Sequence, residues 1–350
     1  GRALRPQGST VANTAGIVTD RILVTGGLGF IGSAFIRRLV HAGQDIVNID
    51  LDTYAGDVRR LEGADVRTER VDVASYDLGR LVRDLAPSAI VHLAAESHVT
   101  RSETDAGRFF ATNVEGTRRV LAAAVEHGIE RVVHVSTDEV YGPALDHPFK
   151  EEDKEPGEGR ATSAYARSKA VADDLACSYM DRMDVVVVRP TNCFGPWQHP
   201  EKAIARWATR GISGDPLPVW GDGGYVRDWM HVDDACRALE VILDRGERGG
   251  IYNIAPQADP LTNLEIARTL AAAAGRDEDA VYLTAYDRPD HDRRYFVDGT
   301  RIRALGWAPA ASLADALVAT VRWYGQHEDW WRPMLAESEA LYSDAEIRPR

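Results

Sequence analysis

Short uninterrupted apolar runs alternate with helix-spaced apolar positions through the first half of this chain. Ile22, Leu23 and Val24 predict a short buried strand, and the apolar positions of 30–41 recur at helical spacing. Residues 45–49, 66–71 and 89–93 predict three further strands, and 108–127 a helix. A fifth strand is expected over 131–135, a long helix over 163–183 and a sixth strand over 185–188. Continuous apolar strands separated by helices imply a parallel sheet covered on both faces. The segment 144–162 is charged and holds several Gly and Pro, so it reads as a mobile loop over a site. Beyond Pro190 the character changes. A turn-rich stretch (211–224), helices around 232–243 and 263–274 and a last helical stretch at 313–324 predict a smaller lobe. That last stretch is expected to pack Trp323 or its neighbours against the body.

The run from Val24 to Gly32 sits between the first strand and the first helix. Gly27, Gly29 and Gly32 satisfy a Gly-x-Gly-x-x-Gly spacing, and Gly26, Gly29 and Gly32 a wider one. Glycines let the backbone turn sharply, and a helix opening at Phe30 and Ile31 favours the charge of a pyrophosphate. Asp50 ends the second strand 18 residues beyond Gly32, where a carboxylate would take ribose hydroxyls. No basic residue directly follows Asp50, so NAD is favoured over NADP. Asp72 and Val73 fit either the border of an adenine or a helix cap. The fold class is therefore α/β, a Rossmann-type doubly wound parallel sheet over 21–190 that binds NAD. A smaller C-terminal substrate-binding lobe would span 191–335, with some chain crossing between the two.

Composition narrows the partners. A net charge of −13 disfavours nucleic acid and anionic membranes, so an anionic substrate needs a local basic cluster. The three cysteines are scattered and odd in number, which fits a reducing cytoplasm and neither a disulfide framework nor a zinc site. No apolar run approaches a membrane span. Residues 1–20 are polar, lack the long apolar core of a signal peptide and read as a disordered tail.

Tyr165 and Lys169 stand one helical turn apart, downstream of Thr137-Asp138-Glu139. A nearby ammonium stabilises phenolate, so the pair implies a phenol tuned to act as a base. The acid pair adds a second proton donor and a second base. Hydride transfer alone needs neither, so the carboxylates suggest that a proton and a hydroxyl also leave the substrate.

At this point the chain resembles the extended short-chain dehydrogenase/reductases, and among them most closely the dTDP-glucose 4,6-dehydratases. The resemblance rests on Gly26 to Ser33, Thr53-Tyr54-Ala55-Gly56, Leu93-Ala94-Ala95-Glu96-Ser97-His98-Val99 and Val135 to Gly142. It continues through Tyr165-Ala166-Arg167-Ser168-Lys169, Gly195 to Lys202, Val226-Arg227-Asp228-Trp229 and Asp287 to Tyr295, covering nearly everything from Arg21 to about Trp331. It implies that Leu93, Ala94 and Ala95 border the NAD, and that Tyr165, supported by Lys169, takes the sugar O4 proton. Thr137 would polarise the developing ketone, Glu139 remove the C5 proton and Asp138 protonate the departing O6 hydroxyl. It also implies a homodimer built on a four-helix contact between two helices of each subunit. The competing readings are a 4-epimerase or decarboxylase of the same superfamily, and a non-catalytic NAD-sensing protein.

A nucleotide sugar needs fixed cations, for which Lys202, Arg227, Arg288 and Arg294 are candidates, although Arg293 and Arg294 also fit exposed salt bridges. By resemblance Asn192, Glu201, Lys202, Arg227, Asn263, Asp287 and His291 hold the nucleotide sugar. His98 reads as lining the substrate site, since no second ligand stands at metal spacing. The chain departs from the family pattern in that pocket. Cys193 and Phe194 follow Asn192 where Asn and Tyr are usual, Thr100 stands in place of an Asp, and Ala203-Ile204-Ala205 replaces Leu-Ile-Pro. Cys193 reads as a packed small residue.

Overall fold

Seven strands pair in parallel in the computed structural model, which describes residues 21–144, 147–256, 261–286, 292–310, 312–342 and 349. The expected tail of 1–20 lies outside the described residues. Six of the strands are β1 (Ile22–Thr25), β2 (Ile46–Asp50), β3 (Arg67–Arg70), β4 (Ala89–His92), β5 (Arg131–Val135) and β6 (Asp184–Pro190). The seventh, Ile251–Ile254, extends the sheet beyond β6. The order runs seventh strand, β6, β5, β4, β1, β2, β3, so the winding reverses between β1 and β4. Ligands of such sheets bind outside the carboxyl ends of the strands at that reversal. Thr25 and His92, paired in register, mark the place.

The pleat divides the core. Ile22 and Val24 pack on one face, with Phe35 of the helix Phe30–His41 and Leu239 of the helix Val232–Arg245. Leu23 points to the other face, with Leu78, Val82, Val120 and Leu121. Successive strand side chains alternate sides, so both faces of a fully buried strand must be apolar. β3 is the exception: its Arg-Thr-Glu-Arg is largely exposed at the sheet edge, where charge discourages pairing with another chain. A third cluster, with Phe194, Ile204, Trp207, Ile266, Leu317 and Trp331, forms the core of the second lobe. Among the described residues no helix is long and apolar enough to cross a membrane.

Four expectations need correction. The sheet has seven strands, not six, because a four-residue strand between Gly250 and Ala255 returns from beyond residue 190. The expected helix over 108–127 is broken by a π turn, Ala111–Gly116, ahead of the helix Thr117–Glu126. The long helix runs only Ala164–Cys177, the chain then turning through Tyr179 and Met180 to reach β6. The described residues of 144–162 do not cover the cleft, since none from 147 to 162 lines it. Instead Phe149 bonds Phe296 and Asp298 through its backbone, and Arg189 donates to the Glu151 carbonyl. Trp323 does pack as expected, stacking on His327 and meeting Trp197 and Trp330.

Candidate active site

The glycine turn is shaped by close approach. Gly26 has φ +78°, and a Cβ there would lie 2.6 Å from the Ala94 nitrogen. A Cβ on Gly32 would overlap the Gly26 carbonyl oxygen. Only glycine lets the loop after β1 lie against the loop after β4 and bring a helix N-terminus to the cleft. Gly27 takes no part in the lining: it packs on Asn48, to whose Oδ1 its N–H donates at 2.9 Å. The wider Gly26, Gly29, Gly32 spacing is therefore the one that faces the cleft. Asp50 Oδ2 accepts from the Leu28 N–H (2.9 Å) and Oδ1 from the Asp52 N–H (2.8 Å). Asp72 Oδ1 accepts from the Ala74 N–H (2.8 Å), so it ties its turn while lining the cleft. This backbone cradle, which a side chain at Gly26 or Gly32 would fill, fits a dinucleotide pyrophosphate.

The cleft, about 490 Å³, falls within the roughly 300–1,000 Å³ of small-molecule sites. Gly26, Gly29, Phe30, Ile31, Gly32, Asp50, Asp72, Val73, Leu93, Ala94 and Ala95 line one part of it. Thr137, Glu139, Tyr165 and Lys169 line it next, and His98, Asn192, Glu201, Lys202, Arg227 and Asn263 the remainder. Asp287, Arg288 and His291 lie outside the described residues.

Thr137 follows β5 and opens the short turn Asp138–Tyr141, accepting from the Glu139 N–H at 3.3 Å. Ser163 caps the next helix by accepting from Ala166 N–H, which sets Tyr165 and Lys169 in its first two turns. Lys169 Nζ donates to the Val135 carbonyl at 2.7 Å. Burial lowers the Lys169 pKa to about 8, with Asp173 acting the other way. Burial, then the Glu139 carboxylate, push the Tyr165 phenol above its ordinary value, while a hydrogen bond with Thr137 opposes them. The ammonium of Lys169, one helical turn away, is anchored on the Val135 carbonyl and keeps two N–H groups for other partners.

Asp138 does not line the cleft but lies buried beside it. Its Oδ1 accepts from the Thr137 hydroxyl (3.2 Å), whereas Oδ2 is buried without a hydrogen-bond partner among the described residues. Burial, then the charges of Glu139 and Asp228, hold its pKa well above the carboxylate range. A protonated carboxyl beside a cleft-lining carboxylate can divide acid and base roles.

In the second lobe Glu201 accepts from the Tyr54 hydroxyl (3.1 Å) and pairs with Arg101 (3.3 Å). Lys202 Nζ donates to the Ser97 carbonyl at 2.9 Å. Arg227 donates to the carbonyls of Val226 (2.7 Å) and Asp292 (2.8 Å), beside the ring of Tyr295. His98 accepts from the Arg101 N–H, and burial, then Lys202, lower its pKa to about 2, so it is a neutral imidazole. Arg294 stacks on Phe296 and does not line the cleft, while Arg293 forms an exposed ion pair with Asp222. Cys193 is more than packing: it is half-buried and lines the cleft. Burial, then Asp138, raise its thiol pKa to about 12.

Residues 22–255 match the model of the NAD dependent epimerase/dehydratase family. The chain belongs to that family. A dTDP-glucose 4,6-dehydratase from Streptomyces griseus is 46% identical over 329 residues, covering 91% of this chain and 98% of its own. A solved dTDP-glucose 4,6-dehydratase from Streptomyces venezuelae with NAD bound superposes with a TM-score of 0.84 at 42% identity, over 90% of this chain and 99% of that one. A UDP-glucose 4-epimerase from Thermus thermophilus, in complex with NAD, superposes at 0.80 with 29% identity, over 87% and 98%. The fold is thus shared across two chemistries, so the fold alone does not choose between them.

Several groups in or behind the cleft of this epimerase/dehydratase family member carry no sequence signal. Asn113, in the π turn, bonds both the N–H and the carbonyl of Glu96 and the hydroxyl of Ser168. It thereby locks the loop after β4 to the helix that carries Tyr165. Arg60 is buried and donates to the carbonyls of Leu28, Ala55 and Trp197, joining the loop after β2 to the second lobe. Trp220, Arg206 and Tyr342 line the cleft from the second lobe. A heteroatom pattern with helical or strand spacing carries no signal for any of them.

Proposed function

We propose that this chain is an NAD-dependent nucleotide-sugar 4,6-dehydratase, a lyase that converts an NDP-hexose to the NDP-4-keto-6-deoxyhexose. dTDP-glucose is the first candidate substrate, on the strength of the relatives' identity over nearly their whole length. One observation carries the assignment: Thr137, Glu139 and Tyr165 line the same cleft as the glycine turn, with the Asp138 carboxyl buried next to them. Residues 21–190 would form the NAD-binding part and 191–335 the nucleotide-sugar lobe.

Bound NAD would supply the acceptor and then the donor of the hydride that leaves C4 and returns at C6, with the backbone of Gly26, Gly29 and Gly32 and the Asp50 carboxylate placed to hold it. Tyr165 takes the O4 proton, helped by Lys169, as the Thr137 hydroxyl donates to the forming ketone. The ketone acidifies C5, and Glu139 removes that proton. Asp138 gives its proton to the departing O6 hydroxyl, so one water leaves. Glu139 then returns its proton to C5, and the proton Tyr165 took from O4 replaces, through solvent, the one Asp138 gave up, which balances the cycle. Arg227 and Lys202 lie where a diphosphate would need them.

Incubation with a panel of nucleotide hexoses should produce, for one of them, a product lighter by one water in the mass spectrum. An isomer of unchanged mass would sink this reading in favour of a 4-epimerase. Two copies would pair through the helices Ala164–Cys177 and Thr117–Glu126, where Val171 and Leu175 are half-buried, while Ala170 belongs to the core. Sedimentation should give a dimer at micromolar concentration, and a monomer there would refute the pairing. The three free thiols support a cytoplasmic setting.

A further inference from the structure

The C-terminal segment folds back onto the cleft. The short helix Leu335–Ala340 and Tyr342 follow Trp331 and bring three side chains to the second lobe. Glu339 receives Arg206 through two bonds, Nε at 3.0 Å and Nη2 at 2.7 Å, and Arg210 through Nη1 at 2.9 Å. Glu337 accepts from Arg101 at 3.2 Å. The Tyr342 hydroxyl donates to the Glu201 carbonyl at 2.6 Å, and its ring lies 3.5 Å from the guanidinium carbon of Arg206.

Arg206 lines the cleft, yet a bidentate carboxylate already matches its charge, which leaves its flat face as a support for the tyrosine. Tyr342 and Trp220 both line this end, their ring centroids 6.2 Å apart at 61°. Asn263 lines the same end and presents a buried Oδ1 without a hydrogen-bond partner among the described residues. Two aromatic surfaces and an unpaired amide oxygen offer what a planar heterocycle with N–H donors requires. The lining cations Lys202 and Arg227 then belong to the diphosphate that follows.

Resting on the nucleotide-sugar reading, we propose that the segment 335–342 is part of the substrate site, with Tyr342 forming a wall for the nucleotide base. Glu337 and Glu339 fasten that wall through Arg101, Arg206 and Arg210. Substrate affinity is then set in part by a stretch that follows the last core helix, remote in sequence from every other cleft residue.

Titration calorimetry of the NAD-loaded full chain with thymidine diphosphate tests this without turnover. Tyr342→Ala should weaken binding at least tenfold, whereas Tyr342→Phe, which keeps the ring on Arg206, should stay within about threefold. With the hexose substrate, the loss in Tyr342→Ala should fall on KM and not on kcat. Unchanged affinity for thymidine diphosphate in Tyr342→Ala would overturn the proposal. So would a matched fall of kcat and thermal midpoint with KM unaltered, the mark of a structural role alone. Parent protein that binds thymidine diphosphate but dehydrates no hexose would instead sink the dehydratase reading and leave this wall standing.

Discussion

Tyr165→Phe is expected to lower turnover by ~10²–10⁴-fold, the typical contribution of a positioned acid–base group, with NAD still bound. The cofactor side of the cleft is built from backbone at Gly26, Gly29 and Gly32 and from Asp50, none of which touches the phenolic hydroxyl. The ring is half-buried, edge-on to Phe109 at 6.4 Å, so phenylalanine fills the same space. What is lost is the oxygen that bonds Thr137 and would receive the O4 proton. Without it C4 oxidation slows by that factor, and stopped-flow absorbance should record no rapid phase of NADH formation on mixing with substrate. NADH appearing at the parent rate would rule out Tyr165 as the base. The phenol's raised pKa sharpens the expectation, because a tyrosine held neutral by burial and by Glu139 must be driven toward phenolate within the loaded cleft.

The parts of this fold that were legible share one property: their physical cause is local. β1, β4 and β6 are buried on both faces, so each carries a continuous apolar run, interrupted toward its carboxyl end by Thr25, His92 or Arg189, and the run is visible. The glycine turn was legible because steric closeness to Ala94 and Gly26 admits nothing larger. Which glycine mattered was less so. Gly27 fits the tighter spacing but serves the packing against Asn48, a residue 21 positions away.

What stayed hidden depends on partners distant in sequence. The strand Ile251–Ile254 is too short to stand out and gains its place only by pairing with β6. The π turn at Ala111–Gly116 looks helical by spacing, and its bulge is explained by Asn113 reaching Glu96 and Ser168. Trp220 and Tyr342 come together over more than a hundred residues. The surroundings of the Tyr165–Lys169 pair stayed hidden for a related reason. Spacing on the helix set Lys169 near Tyr165, but spacing is silent on the Val135 carbonyl that engages the ammonium.

Glu139→Gln should still reduce NAD on mixing, yet accumulate a 4-keto hexose that retains its water. Oxidation at C4 needs only Tyr165, Lys169 and Thr137, so the carboxylates act after the hydride has left the sugar. Exchange of the C5 proton with deuterated solvent should vanish in this variant, since no base remains to remove it. Asp138→Asn should behave differently. Its C5 exchange should persist while elimination slows, by up to ~10²–10⁴-fold where no water replaces the lost acid. The pH dependence separates the two further. Asp138 acts as an acid only when protonated, and its pKa is pushed upward, first by burial and then by Glu139. In the parent, the alkaline limb of elimination should therefore fall as pH rises through the raised pKa. Asn cannot titrate, so the alkaline limb should disappear in Asp138→Asn. If both variants dehydrate at the parent rate, the acid pair is only the turn that follows β5, and the chemistry of the cleft reverts to that of an epimerase.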